Sequence, residues 1–133
     1  MKLEYFRKKE DILYFLFRVI IGFVFFIHGA QKMFGWFGAK GTVPLVSLMG
    51  LAGVIEVVGG LAIALGFFSR LAALGGILDM LGALFTVHFP MGWNPLINKG
   101  EPALLYLAAF LVIITYGSKK WSLEKSFLHK ETF

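Results

Sequence analysis

The sequence predicts an all-α integral membrane protein, a four-helix bundle with both termini on the cytoplasmic side (N-in/C-in). Three features carry the prediction. The 133 residues are 58% hydrophobic and 16% charged, with a mean hydropathy of +0.77, whereas soluble domains average roughly 45–50% apolar and ~25% charged. The apolar residues gather into runs long enough to cross a ~30 Å hydrocarbon layer as helices rising ~1.5 Å per residue. The basic residues lie mainly at the two ends, beside apolar segments. That distribution reads as a topology signal and anionic-lipid contact, not as a nucleic-acid face.

Residues 1–11 are mixed in charge and too short for a domain. A secretory signal also starts with charge. The following run, Ile12 to Ala30, is longer than a signal core, and His28 stands where a cleavage site needs a small residue, so a retained anchor is expected. The first span runs over about 12–34 and contains Arg18, His28 and Lys32; Trp36 and Phe37 follow as interfacial aromatics. The second, about 45–68, carries Glu56 near its centre among Gly53, Gly59 and Gly60. A carboxylate at that depth costs a few kcal/mol or more unless it is protonated, paired or watered. Only a short connection around Ser69-Arg70 leads to the third span, about 71–89, which holds Asp79, Thr86 and His88 and stops at Pro90. The fourth, about 102–118, is the shortest, with Pro102 suited to a helix start and Lys119 and Lys120 placed to snorkel. The whole chain, 1–133, reads as one transmembrane domain.

Basic residues set the orientation. Lys2, Arg7, Lys8, Lys9, Arg70, Lys119, Lys120, Lys125 and Lys130 fall on the side of the termini; Lys32, Lys40 and Lys99 fall opposite. Nine against three places the termini in the cytoplasm and favours an even number of spans. There is no cysteine, which excludes disulfides, thiolate nucleophiles and Cys-ligated metal within this chain. Redox chemistry would need a bound cofactor or another subunit.

Counting ~1.5 Å per residue from the cytoplasmic boundary puts Arg18 at ~9 Å, Asp79 at ~12 Å, Glu56 at ~18 Å and both His28 and His88 at ~24–26 Å. The expectation is an inner acid–base layer of Arg18, Asp79 and Glu56, and an outer histidine layer joined by Gln31, Lys32 and Glu101. One guanidinium cannot neutralise two carboxylates, so one acid needs a proton or another partner. The inner layer reads either as a structural ion-pair network or as a proton-handling or anionic-ligand site. The histidines suit metal or haem ligation, proton relay or plain interfacial hydrogen bonding, the last being preferred and no metal site expected. On a regular helix Asp79 and His88 differ by about 180° and cannot share a cavity, unless the helix ends early at Phe89-Pro90. The glycines of the second span leave space beside Glu56 that helix backbone or a ligand must occupy.

Several local patterns together resemble the DoxX family: FFIHGAQKMFG at 25–35, EVVGGLAIALGFFSRLAAL at 56–74, the Val87-His88 pair before an aromatic-rich loop, and YGSKKWSLEK at 116–125. Glu124 stands where that family often has Asp, and lysines replace a common Gly-Pro-Gly. The matching positions are His28, Gly29, Lys32, Glu56, Gly59, Gly60, Gly66, Arg70 and His88. The resemblance implies a small, multi-pass inner-membrane protein of bacteria or archaea, associated with membrane oxidoreductase systems such as thiosulfate:quinone oxidoreductase and with thiol and oxidative-stress defence. The expected function is therefore a redox-associated subunit whose cavity, lined by Arg18, His28, Lys32, Glu56, Asp79 and His88, holds a quinone or similar apolar molecule. Its expected partners are the lipid bilayer and a second copy or an oxidoreductase subunit. A scaffold with a structural polar core and an oligomeric proton-coupled transporter are the alternatives.

Overall fold

Capping residues fix where the helices of this computed structural model begin and end. It describes residues 2–131; Met1, Thr132 and Phe133 of the expected 1–133 unit fall outside, as does the side chain of Lys2. The elements are α1 (Lys2–Lys8), α2 (Glu10–Phe34), α3 (Leu48–Leu65), α4 (Ser69–Ala83), α5 (Glu101–Tyr116) and α6 (Leu123–Leu128), with no strand among the described residues. The chain of α4 continues as a π-turn, Leu84–His88, and a short 3-10 turn, Phe89–Met91.

The second span is shorter than the 45–68 expected from hydropathy, for a local reason at each end. Ser47 is the N-cap of α3: its hydroxyl accepts from Gly50 N at 3.0 Å and donates to Pro44 O at 2.6 Å, so Leu45 to Ser47 form the entry turn. At the other end Gly66 takes a left-handed φ of 72°, and Phe67 N bonds back to Ala62 O at 2.8 Å. This is a glycine C-cap, which a Cβ would disfavour. The third helix then starts at Ser69 and not at Leu71. Among the described residues, three helical stretches are long and apolar enough to cross a membrane: Glu10–Phe34, Leu48–Leu65 and Ser69–Met91. Glu101–Tyr116 is a shorter apolar helix of 16 residues, begun by Pro102 in its first turn and closed at Gly117.

α2 and α3 are antiparallel and pack most closely, because small residues let their backbones meet. A Cβ built on Gly60 would sit 2.6 Å from Gly22 O, and one on Gly29 would sit 2.6 Å from Val57 N. The buried residues of α3 are Gly50, Gly53, Glu56, Gly59, Gly60 and Ile63, which recur every three or four positions along one helix face, with Gly59 and Gly60 adjacent. α4 lies between α3 and α5 and turns Ala73, Met80 and Leu84 into a core with Phe25, Ile63, Phe110 and Ile113. Phe25 and Phe110 meet edge to face, 4.8 Å between centroids.

One end of the molecule is tied together by the C-terminal segment. Lys119 Nζ lies 2.8 Å from Glu10, Lys120 Nζ lies 2.8 Å from Asp11, and Tyr14 donates to Gly117 O at 2.6 Å. Arg70, at the α3–α4 turn, donates to Ile114 O at 3.1 Å. The start of α2, the α3–α4 turn and the end of α5 therefore share that end.

Candidate functional site

Register decides which polar residues meet. Gly22 faces Gly60 and Ala64, Gly29 faces Glu56 and Val57, and Lys32 and Met33 face Gly53. Extending this antiparallel register puts Arg18 opposite Gly66, roughly 11 residues or ~17 Å along α2 from the level of Glu56. Of the expected layer of Arg18, Asp79 and Glu56, the two acids meet and Arg18 does not join them. Arg18 is fully buried at the other end, where its guanidinium donates to Ile63 O at 3.1 Å and Trp121 O at 2.9 Å and stacks over Phe15. Depth alone did not fix partners, because side chains at similar heights on different faces do not touch.

The partner of Glu56 is Lys32, which the depth count had placed in the outer layer. Its Nζ lies 2.6 Å from Glu56 Oε1. Gly53 makes this reach possible, since a Cβ there would press on the Lys32 Cβ at 3.3 Å and on Met33. The glycine-lined space of α3 is thus filled on the α2 side by backbone at Gly60 and by Lys32 and Met33 at Gly53.

A cavity remains on the other side of Glu56. It has a volume of about 560 Å³ and is enclosed by α2, α3, α4, the π-turn and α5. Phe25, Ile55, Met80, Ala83 and Ala103 give it apolar walls, and His28, Lys32, Glu56, Asp79, Thr86, His88 and Tyr106 supply polar groups. Glu56 is 3% exposed, its Oε1 held by Lys32 and its Oε2 without a hydrogen-bond partner. Asp79 interacts with Glu56 through its side chain, and its Oδ2 is likewise buried without a partner. The two carboxyl groups therefore face each other, and one proton held between them satisfies both. Five of the six sequence-selected residues border this cavity: His28, Lys32, Glu56, Asp79 and His88. Arg18 does not.

Asp79 and His88 share the cavity because the helix between them is irregular. Over Leu84–His88 the turns close from i to i+5, and one inserted residue rotates the downstream residues by about 100°. His88 Nδ1 then meets Asn98 O at 2.9 Å, which leaves Nε2 the acceptor in the neutral ring. His28 is more open and stands edge-on to Tyr106, 5.8 Å between ring centroids. Gln31 instead donates to Phe37 O, and Glu101 is exposed at the start of α5. Among the described residues no three His, Cys, Asp or Glu side chains are grouped to hold a metal ion.

Two residues that sequence reasoning missed shape the site. Asn98 is buried; it donates to Gly92 O at 2.8 Å and accepts from Gly100 N at 2.7 Å, so it folds the 92–100 loop over His88. The only signal was an Asn within a Gly- and Pro-bracketed loop, which also describes ordinary turns. Tyr106 was hidden inside an apolar run; its position one α5 turn before Phe110 was the available hint.

Comparison with known proteins adds a common frame. The DoxX family model matches residues 13–89. A Haemophilus influenzae protein described only as uncharacterized is 36% identical over 85% of this chain and 89% of its own length. A Bacillus subtilis protein named "Putative oxidoreductase CatD" is 30% identical over 88% of each chain. An uncharacterized membrane protein of Mycobacterium tuberculosis is 25% identical over 86% of this chain and 81% of its own. No solved structure matches at a significant level.

Proposed function

The chain belongs to the DoxX family of membrane proteins, and from that premise we propose that it is a redox-associated membrane subunit which binds a quinone or similar apolar molecule in the cavity beside Glu56. The observation that carries this reading is the cavity itself: mostly apolar walls around a buried Glu56–Asp79 carboxyl pair. Ligand sites combine a hydrophobic enclosure with a few placed polar groups. A quinone headgroup accepts hydrogen bonds, and Lys32, His28 and Tyr106 are the lining residues with donors to offer. The oxidoreductase name of the Bacillus subtilis relative agrees with a redox association. With no cysteine in this chain, electrons would pass through the bound molecule or a partner oxidoreductase subunit.

The topology we propose is four spans in the inner membrane, with Glu101–Tyr116 the fourth and both termini cytoplasmic. The shared end of the α2 start, the α3–α4 turn and the α5 end supports it, as does the nine-to-three basic bias. A purely structural polar layer is the competing reading, favoured by Lys32 already pairing with Glu56. Thermal unfolding of the protein in mild detergent with ubiquinone and menaquinone analogues decides between them. A ligand present at 100 times its Kd adds ~2.7 kcal/mol, whereas no stabilisation by any analogue sinks the ligand reading.

A further inference from the structure

The cavity beside Glu56 is covered at one end and open at its side. At the end, Asn98 donates to Gly92 O at 2.8 Å and accepts from Gly100 N at 2.7 Å, which draws the 92–100 loop over His88. The cover is tight, since a Cβ on Gly100 would meet the His88 Cβ at 3.0 Å. At the side, α3 and α4 diverge. Near their connecting turn they touch: a Cβ on Gly59 would meet Ala72 O at 3.8 Å, and one on Gly75 would meet Ile55 Cγ2 at 3.6 Å. About two turns farther along α4, Gly82 borders the cavity, yet a Cβ there would meet nothing within 4 Å. The lips of the resulting slot are Leu48 and Leu51 on α3 and Leu78 and Gly82 on α4, spaced so that each pair shares a helix face. All four line the cavity and are also exposed on the outside, Leu51 at 57% and Leu78 at 61%. Thr86 continues the α4 lip, but its hydroxyl turns back to donate to Gly82 O at 2.7 Å, which leaves the lip apolar.

Both helices are long and apolar enough to cross a membrane, so the slot between them faces hydrocarbon. An unfilled gap there forfeits packing contacts on its walls, and water finds too few polar partners at an apolar lip. Lipid chains and lipid-soluble molecules are what can enter. We propose that the cavity is entered from the bilayer, through the slot between α3 and α4, and that Leu51 and Leu78 are the residues that control passage. This rests on the functional reading above and adds the route and the residues that set its rate. The ligand is then one that dissolves in the lipid phase, and a water-confined molecule is excluded however well its head would suit the Glu56–Asp79 pair. Its arrival depends on its concentration in the membrane, not in the surrounding water.

Because the chain has no cysteine, one lip position can be enlarged chemically at a time. Leu78→Cys in the full-length protein, in lipid nanodiscs, is measured before and after modification with N-benzylmaleimide, by stopped-flow quenching of tryptophan fluorescence with decyl-ubiquinone. Leu74→Cys is the control, because Leu74 lies about one turn back on α4, is 44% exposed and does not border the cavity. A narrowed entrance slows entry and exit alike, whereas damage to the seat shows mainly in koff. Modification at position 78 is expected to lower kon and koff each by ~tenfold or more while Kd moves by less than ~threefold, and modification at position 74 to change neither. Gly82→Phe, which fills the open space on the same lip, should slow both rates without a label. Unchanged rates after complete modification at 78 overturn the route and leave the site intact. A raised Kd with faster koff also overturns it, by making Leu78 part of the seat, as does equal slowing at 74 and 78. Decyl-ubiquinone that fails to bind the unmodified protein removes the functional reading itself.

Discussion

Removing Lys32 and removing Glu56 are unequal perturbations, and the inequality follows from burial. Lys32→Met keeps the apolar stem beside Gly53 and deletes the ammonium, so Glu56, 3% exposed, loses its cation and is left facing a second acid, Asp79. Breaking a buried pair from that side costs ~3–5 kcal/mol. Glu56→Gln keeps the shape and still presents an amide oxygen to Lys32, whose side chain is 24% exposed and retains access to water. The loss is then the difference between a charge-assisted and a neutral hydrogen bond, ~1–2 kcal/mol. In the double variant no charge is stranded, so its cost should fall below the sum of the singles by ~1–3 kcal/mol. Reversible unfolding in mixed micelles, followed by circular dichroism at pH 7, measures all three. If Glu56→Gln proves as costly as Lys32→Met, or if the two effects simply add, the Lys32–Glu56 pair is not what holds this layer.

Other expectations test the remaining parts. Gly60→Val should destabilise by at least ~1–3 kcal/mol through overpacking against the α2 backbone, while Gly82→Ala, whose added Cβ meets nothing within 4 Å, should be neutral or stabilising by up to ~1 kcal/mol in the same unfolding assay; equal effects would refute the close α2–α3 approach. Arg18→Lys replaces a two-pronged donor by a single ammonium and should cost ~1.5–3 kcal/mol, with faster tryptic cleavage after Lys119, Lys120 and Lys125 as the tail loosens; an unchanged digestion rate would contradict the clamp. Single cysteines at Gly38 and Lys120 should react with a membrane-impermeant reagent from opposite sides of sealed cells or vesicles, and labelling from the same side would overturn the four-span topology.

How much of this was legible in the sequence depended on whether the cause was local. The apolar runs announce the helices, because length and hydropathy are properties of neighbouring residues, but the expected spans 45–68 and 102–118 ran past the helix ends at Gly66 and Gly117. That Glu56 must turn away from lipid follows from the cost of a carboxylate in hydrocarbon. Asp79 followed as its neighbour; the cation that pairs with it did not. The choice between Arg18 and Lys32 was made by the register in which Gly22 and Gly29 seat on Gly60 and Val57, and a register between two helices is written in neither alone. The joint placement of Asp79 and His88 was opaque for a related reason. It depends on the π-turn at Leu84–His88, whose residues carry an ordinary helical pattern. Asn98 matters through three contacts made by a loop, and loop closure leaves little periodic trace.

The clamp around Arg18 also imposes an order of events on biosynthesis. Arg18 lies near the beginning of the chain, yet its two acceptors are the carbonyls of Ile63 and Trp121. After residue 63 has been made, roughly 60 more residues must be translated before the second acceptor exists, a delay of ~3–12 s at ~5–20 residues per second. During that interval the guanidinium is short of a partner and gains most by staying near the headgroups, which holds the first helix high in the membrane. Arrival of the tail releases it inward. The segment around Trp121 thus completes the seating of the first helix, and a chain truncated before Trp121 would leave the Arg18 guanidinium one acceptor short.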